Sequence, residues 1–428
     1  MGFRMRMVIP PILAAKTDDR LIVKHRVVIV QYASISGTDS QSGPFGKSQL
    51  KVSAAMTPKI YLALTHDWEL RGDGSGDIEQ IQFAPLQKLL EIYRKHKART
   101  TFLPDVLQQI RFRQLQTEHS DLESLVGQWD EHVREAFGQG HDIQLHVHPQ
   151  WHDGRYEDGR WRLNGDWSLL NYDRDDAYAL LAAGKDYLEK LLRPIDPSYR
   201  CVAFRSGALA AAPSDHLFES LISLGIHLDV SIAGGLFVDN AALQIDYRNC
   251  EEDFLPFYPA IKDARRVSGA RERIVCVPLN HFYGSRRAVT RQNIALARQR
   301  LSRRAIASQA TSSQAGAQSE HQSRTALAFE KIIMPAVKRK YLVSDLSRLN
   351  YRLMQEMLGS IRQRARQSGL RQLPVILTNH PKDIRDLAGI ERFVGEASRA
   401  KDISFITLTE VAEKLQNGEF EIRLSEKV

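Results

Sequence analysis

The chain has 428 residues, of which 43% are hydrophobic and 26% charged, with a formal net charge of +8. That length can bury a sizeable core, and the composition excludes a fibrous or wholly disordered chain. No run reaches the roughly 18 apolar residues that a membrane span needs, and no zinc-finger spacing or RNA-binding signature accompanies the positive charge, so nucleic acid is not an expected partner. Cys201, Cys250 and Cys276 form neither a CxxC nor a paired framework, which favours reduced thiols and a cytoplasmic setting.

Residues 1–55 read as an extension, poorly ordered or not translated. Met7–Ala15 follows Arg4 and Arg6 like a signal peptide, but Pro10 and Pro11 interrupt it. Leu21–Tyr32 is a candidate strand and Ser34–Ser48 has the composition of a linker. Gly46-Lys47-Ser48 ends like a phosphate-binding loop, yet Gln41 stands where that loop needs its first glycine. Met56 is a candidate start, and residues 56–428 are expected to form the catalytic domain.

From residue 58 short apolar strands alternate with amphipathic helices. The strands are Ile60–Leu64, Thr100–Leu103, Ile143–His146, Cys201–Phe204, Leu228–Ser231, Ile274–Val277, Pro374–Thr378 and Ile403–Leu408. Helices are expected at Pro85–His96, Asp175–Leu192, Ser214–Leu224, Ser344–Arg366 and Thr409–Leu415. This alternation predicts an α/β fold, a distorted (β/α) barrel of seven or eight parallel strands, with reactive residues at the strands' C-terminal ends. A basic, partly disordered insertion is expected at about 285–343, with a helix-like stretch at Arg287–Arg304 and low complexity at Ile306–Ser323. Its charge suits plain solvent, peripheral contact with an anionic membrane, or a phosphate-linked glycan carrier.

Four strand ends concentrate chemistry: Thr65-His66-Asp67-Trp68-Glu69, His146-Val147-His148, Phe204-Arg205-Ser206-Gly207 and Thr378-Asn379-His380-Pro381. Each alone has an ordinary explanation: a capping charge, a histidine pair, a surface arginine, a turn. Together they supply imidazole and carboxylate ligands, a base and an acid, which is the mixture a hydrolytic metal site requires.

In this order the motifs LTHDWE (64–69), GHDIQLHVHPQW (140–151), FRSG (204–207), GIHLDVS (225–231) and LTNHP (377–381) resemble those of the polysaccharide deacetylase family, the NodB-homology fold of carbohydrate esterase family 4. ARTTFL (98–103) resembles the family's second strand and FITLTEVAEKL (405–415) its closing strand and helix, so the resemblance covers roughly residues 58–418. It implies a divalent metal, zinc before cobalt, nickel or manganese, held by Glu69, His146 and a second histidine. It also implies Asp67 as general base, Arg205 as its orienting cation and His380 as general acid. Two departures stand out: Trp68 separates the two carboxylates, and Gln150 occupies the place of the family's second histidine. His148 or His152 must then replace it, and His148 is preferred because i and i+2 on a strand share a face.

The loop after His148 carries Trp151, Trp161 and Trp167, which are expected to stack on sugar rings; the alternative is a loop packed on its own aromatics. The implied activity is removal of N-acetyl groups from a glycan, lipid-linked or free, during cell-surface polysaccharide biosynthesis at the inner face of the membrane. Another C–N or glycosidic hydrolase on the same fold, or a non-catalytic glycan-binding protein, are the alternatives.

Overall fold

Lys59–Trp68, the first strand, is apolar from Ile60 to Leu64 and buried along nearly its whole length, as a strand covered on both faces must be. The computed structural model describes residues 57–297 and 340–425. The expected extension at 1–55, the candidate start at Met56 and the low-complexity stretch at Ile306–Ser323 lie outside the described residues.

The principal strands are β1 (Lys59–Trp68), β2 (Thr101–Pro104), β3 (Asp142–Ile143), β4 (Leu145–Val147), β5 (Ala203–Ser206), β6 (Leu228–Asp229), β7 (Val275–Cys276), β8 (Gln372–Asn379) and β9 (Ile403–Phe405). The α-helices with established bounds are α1 (Ala84–His96), α2 (Val106–Leu115), α3 (Ser120–Gly138), α4 (Arg174–Leu192), α5 (Leu217–Ser223), α6 (Tyr351–Ser368), α7 (Leu387–Ala397) and α8 (Leu408–Gln416). All the pairings among β1–β9 are parallel, so the protein is a mixed α/β fold with helical crossovers.

One sheet runs β8-β1-β2-β3, with β9 also against β1, and the other runs β7-β6-β5-β4. The expected barrel is therefore realised as two parallel sheets. Single bridges, Asp105 with His146 and Leu279 with Ile376, join them where the ladders stop. The strand expected at Ile143–His146 breaks at Gln144, whose backbone N–H still donates to Phe102 O. Its buried side chain accepts from the backbone N–H of Val202 and Ala203, 2.8 Å each, and donates to Asp142 Oδ1 at 2.9 Å. The polar groups freed by the break are thus satisfied internally, as burial demands.

The expected insertion begins with helical backbone over residues 286–297. Just before it, His281–Gly284 pairs antiparallel with Lys340–Val343, so the two ends of the insertion meet in one stem. The stem passes directly into Ser344, whose carbonyl accepts from Thr378 N on β8 at 3.0 Å.

Candidate metal centre

β1 alternates faces, so Asp67 and Glu69 point to one side while Trp68 points to the other. The Trp68 indole is 1% exposed and packs on Trp129 and Phe83, and its Nε1 donates to Gln82 O at 2.8 Å. The residue that separates the carboxylates is thus a core anchor, and its insertion is what brings both carboxylates to one face. His66 also turns inward, stacks on Phe102 and contacts Asn379 through Nδ1.

Glu69, His146 and His148 are all buried, and one ligand atom from each lies within 4.8 Å of the others. His148 Nε2 is 2.5 Å and His146 Nε2 3.5 Å from Glu69 Oε2. Neither nitrogen has a partner in hydrogen-bond geometry. Two buried imidazole nitrogens without donors, aimed at a carboxylate, fit a divalent cation with nitrogen and oxygen ligands at about 2.0–2.2 Å. The ladder register sets His146 opposite Arg205, and His146 Nδ1 lies 2.9 Å from the Arg205 carbonyl. That contact places the proton on Nδ1 and leaves the Nε2 lone pair for a metal.

Charge supports the same reading. Burial pushes the Glu69 carboxyl up, but the Lys382 ammonium and the two histidines outweigh it and hold it well below the ordinary carboxylate range. Lys382 Nζ donates to Glu69 Oε1 at 2.7 Å and to Leu70 O at 2.8 Å. For His146, burial opposes protonation, yet Glu69 and Asp67 carry it up to about 9, so these carboxylates draw positive charge to Nε2, and a bound cation would take the place of that proton.

Two further assemblies flank the cluster. Arg205, fully buried, hydrogen-bonds Asp67 Oδ1 through Nη1, reaches Thr378 Oγ1 at 3.2 Å, and donates from Nε to Val230 O at 3.3 Å. The other oxygen, Asp67 Oδ2, is 3.4 Å from His380 Nε2. His380 Nδ1 is held 3.0 Å from Asp345 Oδ2. Burial lowers the His380 pKa, but Asp345, with Asp67 and Glu69 behind it, raises it above the ordinary histidine value. Asp345 is in turn pulled down to about 2 against its burial, chiefly by His380 and Arg348.

The structure thus brings together Asp67, Glu69, His146, His148, Arg205 and His380 from four strand ends. Of the two alternatives for the second histidine, His148 lies in the cluster, while His152 is largely exposed beside Asp153. Trp151 is 1% exposed, packed against Phe112 and Trp161, and keeps no open face. Trp161 stacks flat on Phe112, with centroids 4.7 Å apart. Trp167 packs on the backbone of Gly72, where a β-carbon would meet its ring at 2.3 Å. The loop aromatics therefore pack largely on one another and on the turn after Glu69.

Asp229, from the GIHLDVS motif, turns to Ser231 and Cys276 rather than to His380, and burial pushes it up to about 6. The carboxylate beside His380 is Asp345, which sequence reasoning missed along with Lys382 and the side chain of Gln150. Lys382 carried a signal, standing two residues after His380 and directly after the LTNHP motif. A cavity of about 690 Å³ lies at the opposite end of the strands, among Arg99, Asp142, Arg200 and His227, and contains none of these site residues.

No family model matches the chain and no curated protein matches it. Solved structures do. A putative polysaccharide deacetylase from Mycobacterium smegmatis is 14% identical, with 91% of this chain and 99% of that one covered and a TM-score of 0.43. A 4-alpha-glucanotransferase from Thermococcus litoralis is 13% identical over 84% of this chain but 40% of its own, at a TM-score of 0.42. A probable polysaccharide deacetylase from Pseudomonas aeruginosa PAO1 is 11% identical, covering 85% and 94%, at 0.43. The solved proteins to which the chain is similar thus include one named a putative and one named a probable polysaccharide deacetylase, at a divergence that leaves the chemistry to be read from its own residues.

Proposed function

We propose that the protein is a zinc-dependent hydrolase that removes N-acetyl groups from a glycan. The observation that carries this reading is the buried Glu69–His146–His148 cluster set between two separate proton-handling pairs, Asp67 with Arg205 and His380 with Asp345.

Glu69 Oε2 and the Nε2 atoms of His146 and His148 would hold the ion. When bound, zinc supplies Lewis acidity, polarising the acetamide carbonyl and lowering the pKa of a water toward about 7. Arg205 occupies Asp67 Oδ1, so Oδ2 is the atom that takes the proton of the attacking water. His380 carries its transferable proton on Nε2, because Asp345 holds Nδ1. That proton goes to the departing nitrogen, a step that amide cleavage needs because an unprotonated amide nitrogen leaves poorly. Asp67 Oδ2 and His380 Nε2 lie 3.4 Å apart beside Glu69, so base and acid would act on one bond next to the cluster.

A glycan chain would run along the cavity of about 560 Å³ lined by Leu70, Ser75, Tyr156, Arg160, Trp161 and Arg162. Arginines beside a half-buried indole suit an acidic or phosphate-bearing sugar, in keeping with the net charge of +8. No helix among the described residues is long and apolar enough to cross a membrane, so a lipid-linked substrate would be met at the surface of its bilayer.

The test is acetate release from N-acetylated oligosaccharides by zinc-loaded protein. Asp67→Asn and His380→Ala should each lower kcat by roughly 10²–10⁴-fold while zinc stays bound. Binding of oligosaccharide without acetate release at any metal loading would instead support the glycan-binding alternative.

A further inference from the structure

Both candidate histidine ligands face Glu69 through Nε2, so each needs a hydrogen-bond acceptor at Nδ1 to hold its proton there. His146 has one, the Arg205 carbonyl at 2.9 Å. At His148 the neighbour is not a backbone oxygen but the side-chain amide of Gln150, 3.1 Å from Nδ1. Gln150 lies on the short turn Pro149–Trp151, fully buried. Its Nε2 is turned toward His148 Nδ1 and, at 3.4 Å, toward Gly72 O, while its Oε1 is buried with no hydrogen-bond partner.

The two ends of a carboxamide exchange places on a half-turn, and they are opposite in hydrogen-bonding character. With the amide nitrogen at Nδ1, His148 carries its proton on Nε2 and presents it to Glu69. With the amide oxygen at Nδ1, Oε1 gains a donor while the amide nitrogen gives up its contact with Gly72 O, the proton sits on His148 Nδ1, and the His148 Nε2 lone pair faces Glu69. The first arrangement suits the site without a cation, and the second suits it with one. Resting on the reading of Glu69, His146 and His148 as ligands, we infer that Gln150 is a positioning residue that selects the His148 tautomer and thereby sets metal affinity. At the position where the resembled family has a ligand, this chain orients its ligand instead.

The experiment measures zinc affinity of the full-length protein by competition with a chromophoric chelator, and follows cobalt loading by its visible spectrum. Wild type is compared with Gln150→Leu, which has no acceptor, and Gln150→Glu, which offers an oxygen at either end. Melting temperatures of the metal-free proteins are recorded alongside. The expected order is Glu at least as tight as Gln, with Leu weaker by roughly 10–100-fold, the usual effect of losing a partner behind a ligating histidine. A purely structural role would make affinity follow melting temperature across the three proteins, with the buried carboxylate of the Glu variant the most harmful.

Gln150→Leu that binds zinc as tightly as wild type overturns the inference and leaves the ligand set standing. If the Leu variant does not fold, Gln150→Glu decides: zinc binding more than tenfold weaker than wild type overturns it. Wild type that binds neither zinc nor cobalt overturns the inference together with the ligand reading.

Discussion

Asp345 and His380 form the pair in which one residue's position decides another's proton. The Asp345 carboxylate is anchored by Ser347, which donates from its N–H at 3.1 Å and its hydroxyl at 2.6 Å, and so keeps a fixed direction toward His380 Nδ1. Because Asp345 raises the His380 pKa, it extends the range over which His380 is protonated and able to act as an acid. Asp345→Asn removes that charge, so the His380 pKa falls and the acid form is lost at a lower pH. The alkaline limb of acetate release should move down by about one pH unit or more, the usual size of a neighbouring-charge effect. A pH–rate profile checks this, and an unmoved limb would separate His380 from the alkaline titration. Gly207 is a second residue with a sharp requirement. A β-carbon there would lie 2.7 Å from Val147 O and 3.0 Å from the His148 ring, so Gly207→Ala must push the imidazole or its strand aside. Zinc affinity of that variant should drop by roughly tenfold or more, as for other disturbed ligand supports, with the fold retained by circular dichroism.

The strands legible in the sequence were those whose apolar runs end abruptly in polar residues. β1, β4, β5 and β8 each do so, which is why Asp67, His146, Arg205 and His380 could be placed at one end before any coordinates. Less legible were α2 and α3. In α2, Gln108 and Gln109 are buried, which removes the apolar stripe a sequence search needs. Gln109 instead ties the two helices together through Val126 O and Asp130 Oδ1, each at 2.9 Å. The helix expected over Ser344–Arg366 begins only at Tyr351, because Asn350 caps it by accepting from Leu353 N at 3.0 Å. The residues before it form a separate turn capped by Asp345. That displacement hid Asp345, since a carboxylate read as part of a helix start gives no hint of a place beside β8. Its position comes from the bridge between Asp345 and Thr378, a tertiary pairing that no local pattern encodes. The aromatic loop was less legible for a related reason: tryptophans near polar residues look alike whether they meet a sugar or one another, and here Trp161 stacks on Phe112 while still lining a cavity.

Across the whole molecule, two parallel sheets carry the candidate ligands and the proposed proton-handling residues to a common end, while the stem of the insertion returns the chain to that end at Ser344 and Asp345. β1 connects the parts: it pairs with β8 from Lys59 to His66 and with β2 from Thr65 to Trp68. The residues proposed as base, carboxylate ligand and acid therefore sit at the ends of adjacent strands of one rigid ladder, the arrangement that lets a site hold its geometry without substrate. The departure at Gln150, which in the sequence alone left the second histidine open between His148 and His152, is set at this scale in a turn at Pro149–Trp151 that buries Gln150, keeps His148 in the cluster and leaves His152 exposed.

The most direct test of the account is the metal content of the full-length protein after dialysis, wild type beside His146→Ala, by elemental analysis. The account predicts close to one divalent ion per chain in wild type and almost none in the variant, with acetate release following the metal. A wild type that holds no ion after each of zinc, cobalt, nickel and manganese has been added back would contradict it.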